Sequence, residues 1–130
     1  MLLADGWAQA TGLPADIVKG ACAISGLYGL EPIRLSYLNA ILRLDRDEAA
    51  RNSPVRLPPR RQAKLILAVG DEESDEYLRQ QAEFAARWSA AGADIRTVAM
   101  PGHHHFAVVS ALALPGHPLF EATLAMVRGA

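Results

Sequence analysis

Three of the chain's four histidines stand together in MPGHHHFAVV, residues 100–109 of a 130-residue sequence. An imidazole can ligate a metal. It can also move protons, when a carboxylate holds one ring nitrogen and leaves the other free. Carboxylates are concentrated in one other place, GDEESDE (70–76). If that loop and the histidine loop meet in space, an acid–imidazole pair results. From residue types alone, Asp71, Glu72, Glu73 and Asp75 are all candidates for the acid. A plainer account also stands: a solvated turn and helix start, where acids favour the helix dipole. Metal is not expected at the histidines. Consecutive side chains on an extended segment point in opposite directions, and no companion Cys or His motif is present. No cofactor motif is read either.

Nucleophiles are scarce. The single cysteine, Cys22, lies in an apolar run without an electropositive setting, so it reads as a small buried residue. It excludes an intrachain disulfide and fits a reducing compartment. None of the serines (Ser25, Ser36, Ser53, Ser74, Ser89, Ser110) stands in a G-x-S-x-G turn.

The elements that must position these residues follow from the hydropathy pattern. IVKGACAIS (17–25), AKLILAVG (63–70) and ADIRTVAM (93–100) read as strands, the first buried on both faces. MLLADGWAQA reads as the last turns of a helix that Gly12 stops. In EPIRLSYLNAILRL, Ile33, Tyr37, Ala40 and Ile41 recur at helical spacing, and DRDEAARN reads as a short polar helix. SPVRLPPRRQ is a basic, Pro-rich loop. Tyr77, Gln81, Phe84, Ala85 and Trp88 form one stripe of a long helix that Gly92 closes. A turn and a short apolar helix follow the histidines, and HPLFEATLAMVRGA closes the chain as a helix. Strands alternating with helices predict an α/β fold with a mostly parallel sheet of about three strands. In such sheets ligands bind beyond the carboxyl ends of the strands, where SGLYGLEP, GDEESDE and PGHHHF all fall.

Composition limits the partners. Thirteen Lys and Arg against fourteen Asp and Glu give no electrostatic reason to expect nucleic acid or an anionic membrane. No stretch is long and apolar enough to span a bilayer, and the N-terminus lacks the pattern of a secretory signal. A cytoplasmic protein is the expectation.

VKGACAISGLYGLEPIRLSYLN, LILAVGDEESDEYLRQQAEFAARW and MPGHHHFAVV together resemble the C-terminal half of α/β-hydrolase esterases, in the arylformamidase-like branch. The resemblance covers nearly the whole chain as one partial domain (1–130), with 26–62 as a lid-like segment. It implies a Ser-His-acid hydrolase of small esters or arylformamides. Its acid would be Glu73, just before Ser74, with Asp71 and Asp75 less favoured. Its base would be His105, just before Phe106. Leu27, Tyr28, Tyr37, His104 and Phe106 would contact substrate, and His103 would be a loop residue.

Two departures matter. The opening MLLADGWAQATG resembles the helix that follows the nucleophile elbow, so the serine and the oxyanion loop are expected upstream of residue 1. Gly29 stands where relatives often have Asp. A half sheet leaves an edge strand and apolar faces uncovered, which invites pairing. The expectation is a homo-oligomer, or a chain that complements a separate N-terminal half. The alternative function is a non-catalytic binding or assembly scaffold.

Overall fold

The computed structural model describes residues 2–129. Its centre is β2, Lys64–Gly70, an aliphatic strand buried from Leu65 onward. β1 (Gly20–Ile24) and β3 (Asp94–Met100) flank it, and both pair with it in parallel. Side chains alternate across a strand, so β2 serves two cores. Ile66 and Ala68 pack with Val98, Met100, Val108 and Leu119 on one face. Leu65 and Leu67 pack with Leu3, Tyr28, Phe84 and Trp88 on the other. Helices α6 (His105–Ser110) and α7 (Pro118–Arg128) cover the first face. Helix α5 (Asp75–Ala90) covers the second. The result is a helix–sheet–helix sandwich, a partial α/β-hydrolase architecture with the expected parallel sheet.

Three local expectations need correction. The N-terminal helix is only one turn, α1 (Trp7–Ala10), entered through Gly6 at φ 89°. The residues before it run instead beside the Pro-rich loop: Ala4 bridges Pro59, and Asp5 N–H donates to Pro58 O at 2.9 Å. The first strand starts at residue 20 rather than 17, because the Arg60 guanidinium takes the carbonyls of Ala15 and Val18 at 3.1 and 2.9 Å. That strand is half-buried throughout rather than buried on both faces, since it lies at an edge of the three-stranded sheet.

The third correction concerns the single helix expected after residue 30. It is two isolated turns, α2 (Glu31–Arg34) and α3 (Asn39–Leu42). Ser36 Oγ donates to Ile33 O at 2.8 Å and accepts from Leu38 N–H at 3.2 Å, so a side chain competes for the backbone groups a continuous helix needs. Asn39 then closes α3 by bonding both backbone groups of Leu44. Beyond the half-buried Ile33 the apolar stripe read there finds no cover: Tyr37 is 87% exposed and Ile41 82%. The polar helix α4 (Arg46–Arg51) forms as read, with a capping box between Asp45 and Glu48.

Polar bonds and an aromatic stack hold this segment together and fasten it to α5. Gln80, buried on α5, accepts from the N–H groups of both Tyr28 and Gly29 at 2.8 Å. Ser53 accepts from Leu30 N–H at 2.8 Å and donates to Ala49 O. Tyr28 also lies flat on Phe84, with ring centroids 4.1 Å apart, and Phe84 meets Trp88 at 4.5 Å. Phe84 therefore joins segment, helix and sheet. Phe84→Ala is expected to cost about 3–5 kcal/mol of folding stability, the range for a buried Phe emptied to Ala. Urea denaturation followed by circular dichroism measures it; a loss under about 1 kcal/mol would mean the aromatic stack carries little of the fold.

Candidate active site

The register sets the site. Ile24 pairs with Ala68, and Gly70 pairs with Met100, so the three strands end at nearly one level. The loops beyond them are therefore neighbours. Three further bonds tie the acid loop to the histidine loop: Asp71 N–H donates to Met100 O and Glu72 N–H to His103 O, each at 3.3 Å, and Gly102 N–H donates to Asp71 Oδ1 at 2.7 Å.

Gly70 permits this approach. A Cβ there would stand 1.9 Å from His103 O, a backbone atom that cannot swing aside. Gly29 is different, because a Cβ would find its nearest neighbours at 3.9 Å. The departure at Gly29 is thus sterically free.

Within this frame Glu73 turns back into the fold. Its side chain is 1% exposed and takes three donors. Oε1 accepts from Ser25 Oγ at 2.6 Å and from Gly70 N–H at 2.9 Å. Oε2 meets His105 Nδ1 at 2.7 Å. An ionised carboxylate only accepts, so it fixes the proton of His105 on Nδ1 and leaves Nε2 a lone pair. His105 is the first residue of α6, and its side chain is half exposed (49%). Tyr77, one helical turn after Glu73 on α5, tilts against the imidazole with centroids 5.4 Å apart, and Phe106 stands edge-on at the same distance.

The electrostatics follow from these contacts. Burial is the largest influence on Glu73 and opposes its charge. The donors from Ser25, Gly70 and His105 together outweigh it and hold the carboxyl below the ordinary Glu range. Cys22 is half-buried, and burial pushes its thiol up, away from the reactive thiolate.

The other candidates separate. Asp71 serves the loop tie, and Asp75 lies in the exposed first turn of α5; neither bonds His105. His103 Nδ1 bonds Pro101 O at 2.8 Å, while His104 is exposed at the N-cap of α6, so the three imidazoles diverge. Among the described residues no group of three or more His, Cys, Asp or Glu is placed to hold a metal ion. Phe106 is 76% exposed beside His105. Leu27 and Tyr28 line an apolar cavity of about 210 Å³ on the α5 face, whose walls include no residue of the acid or histidine loops. Tyr37 is not among the rings that touch His105.

Two site residues escape the sequence reading. Tyr77 looks like one more member of the α5 stripe, though its place one turn after the acid is the available signal. Ser25 looks only like the end of a strand, and no local pattern announces its bond to Glu73.

A parallel sheet with helices on both faces, and with a carboxylate and an imidazole meeting beyond the carboxyl ends of its strands, fits the α/β-hydrolase architecture. Comparison with known proteins agrees. The chain is 29% identical to kynurenine formamidase of Salmo salar over 133 aligned residues, and 28% identical to that of Danio rerio over 132. Each match covers 98% of this chain but only 45% and 44% of the relative, so the chain spans less than half the length of these proteins. A crystal structure from Silicibacter sp., described as that of a thioesterase, superposes with a TM-score of 0.69 at 31% identity, over 78% of this chain and 37% of its own. No family model matches. The resemblance to the arylformamidase-like branch of the hydrolase fold thus holds along nearly the whole chain. Among the described residues no single helix is long and apolar enough to cross a membrane.

Two predictions follow from the geometry. Gly70→Ala is expected to destabilise by about 1–3 kcal/mol or more, as overpacking does, whereas Gly29→Ala changes stability by less than about 1 kcal/mol. Paired urea melts check this, and equal effects would show that the loop approach at Gly70 is not tight. The second concerns pH. Glu73 has its carboxyl depressed by folding, so its contribution is complete above the unfolded value near 4.5 and is lost as pH falls through the folded one. The stability gap between wild type and Glu73→Gln is therefore expected to be largest near neutrality and to shrink below about pH 4.5. A gap that stays constant from pH 7 to pH 3.5 would contradict it.

Proposed function

We propose that this chain carries the acid–base part of a Ser-His-acid hydrolase that acts on small carboxylic esters or arylformamides. One observation supports this above the rest: a buried carboxylate on one strand end holds the imidazole of the next at 2.7 Å. The likeness to kynurenine formamidases supports the chemical class. Glu73 orients His105 and stabilises the imidazolium that forms. His105 Nε2 takes a proton from the attacking hydroxyl and later returns it to the leaving group. Phe106 and Tyr77 wall the imidazole with apolar surface, which suits an aromatic or apolar leaving group.

The nucleophile in this reading is a serine hydroxyl that reaches the Nε2 edge of His105 from outside the described residues, on this polypeptide or another. β1 and β3 are both edges of the three-stranded sheet, and an edge presents unpaired N–H and C=O groups ready to take another strand.

Hydrolysis of p-nitrophenyl acetate by the pure chain tests the assignment. The expected result is slow turnover without an acyl-enzyme burst, reduced to background by His105→Ala and by about ten-fold or more in Glu73→Gln, since a mis-set tautomer disables the base. A rate indifferent to His105→Ala would overturn the role of His105. Failure of a fluorophosphonate probe to label any serine of the chain alone is also expected; a labelled serine would overturn the external nucleophile.

A further inference from the structure

We propose that Ser25 is the positioning residue of the acid–base pair: its hydroxyl locks Glu73 in the one orientation that presents Oε2 to His105. The inference rests on the pair reading above and extends it to a residue on a third strand end.

Ser25 follows β1 directly and is 8% exposed. Its backbone is left-handed, φ 47°, a conformation disfavoured for any residue with a Cβ. Strain of this kind persists where surrounding contacts hold it. Here the contacts are visible. Ser25 N–H donates to Ala68 O at 2.8 Å, which prolongs the β1–β2 ladder by one bond, and the hydroxyl donates to Glu73 Oε1 at 2.6 Å.

A carboxylate held by one donor per oxygen can pivot. With Ser25 Oγ and Gly70 N–H both on one oxygen, any tilt of the carboxylate plane would strain two bonds at once, so the other oxygen stays aimed at Nδ1. The position also says what Ser25 is not. Glu73 stands between it and the imidazole, on the Nδ1 edge, while Nε2 lies on the opposite edge of the ring. A hydroxyl on the Nδ1 side cannot pass its proton to Nε2. Ser25 therefore acts through Glu73 and is not the nucleophile.

The test reads the ring itself and needs no turnover. In ¹⁵N and ¹H spectra of the whole chain, wild-type His105 is expected as the Nδ1–H tautomer with a protected, downfield Nδ1 proton. Glu73→Gln is expected to abolish that signal. Ser25→Ala and Ser25→Gly both remove the hydroxyl, and the glycine also relieves the left-handed strain, so it serves if the alanine variant does not fold. Each is expected to lose the protected proton and shift the ring toward Nε2–H, while Ser25→Cys, a weaker donor, falls between these and wild type. A ring unchanged in Ser25→Gly but altered in Glu73→Gln would overturn the role of Ser25 and leave the pair intact. A ring unchanged in Glu73→Gln would overturn the pair, and the proposal with it.

Discussion

The site depends on one close contact, the backbone of the histidine loop lying against Gly70. Parallel pairing brings the ends of β2 and β3 level, but level ends alone leave two loops side by side with side chains between them. Because residue 70 has none, His103 O comes to where a Cβ would be, 1.9 Å away. That approach sets Glu72 N–H on His103 O and Gly102 N–H on Asp71 Oδ1. It also leaves Gly70 N–H free to point at Glu73. One missing methyl group thus governs the distance between the acid and the base.

The length of the acid matters within that frame. Glu73 begins three residues beyond the strand and must reach back to Gly70 N–H with one oxygen and to His105 with the other. A buried carboxylate without donors would sooner take a proton than hold a charge. Hydrogen bonds to a charged group are worth about 1.5–3 kcal/mol each, and Glu73 has three, from Ser25 just after β1, Gly70 at the end of β2 and His105 at the start of α6. The acid is ionised because the sheet register brings three donors to one place.

How far the sequence shows this differs element by element. β2 is legible because an unbroken aliphatic run ended by Gly suits a central parallel strand, and α5 because its apolar stripe repeats at helical spacing. The segment after β1 is misread because the same spacing appears at Ile33, Tyr37, Ala40 and Ile41, yet Ser36 and Asn39 divert the backbone and no layer covers the stripe beyond Ile33. Periodicity reports a face able to be buried, and whether anything buries it is a tertiary matter. At the site, the candidates Asp71, Glu73 and Asp75 look alike in sequence. What separates them is loop geometry: Asp71 points at the histidine loop's backbone, Asp75 at solvent, and Glu73 inward. Ser25 is 48 residues from Glu73 and meets it only through strand register, a relation no local pattern carries.

The direction of the imidazole bears on what it serves. With Nδ1 turned to Glu73, the Nε2 edge must face away from Glu73, Gly70 and Ser25, and the half-exposed ring lets it do so. Four of the chain's six serine hydroxyls donate to other groups: Ser25 to Glu73, Ser36 to Ile33 O, Ser53 to Ala49 O and Ser110 to Phe106 O. Because the ring is half exposed, a hydroxyl that meets Nε2 would approach from its open side at the α6 N-terminus, beside the exposed Phe106.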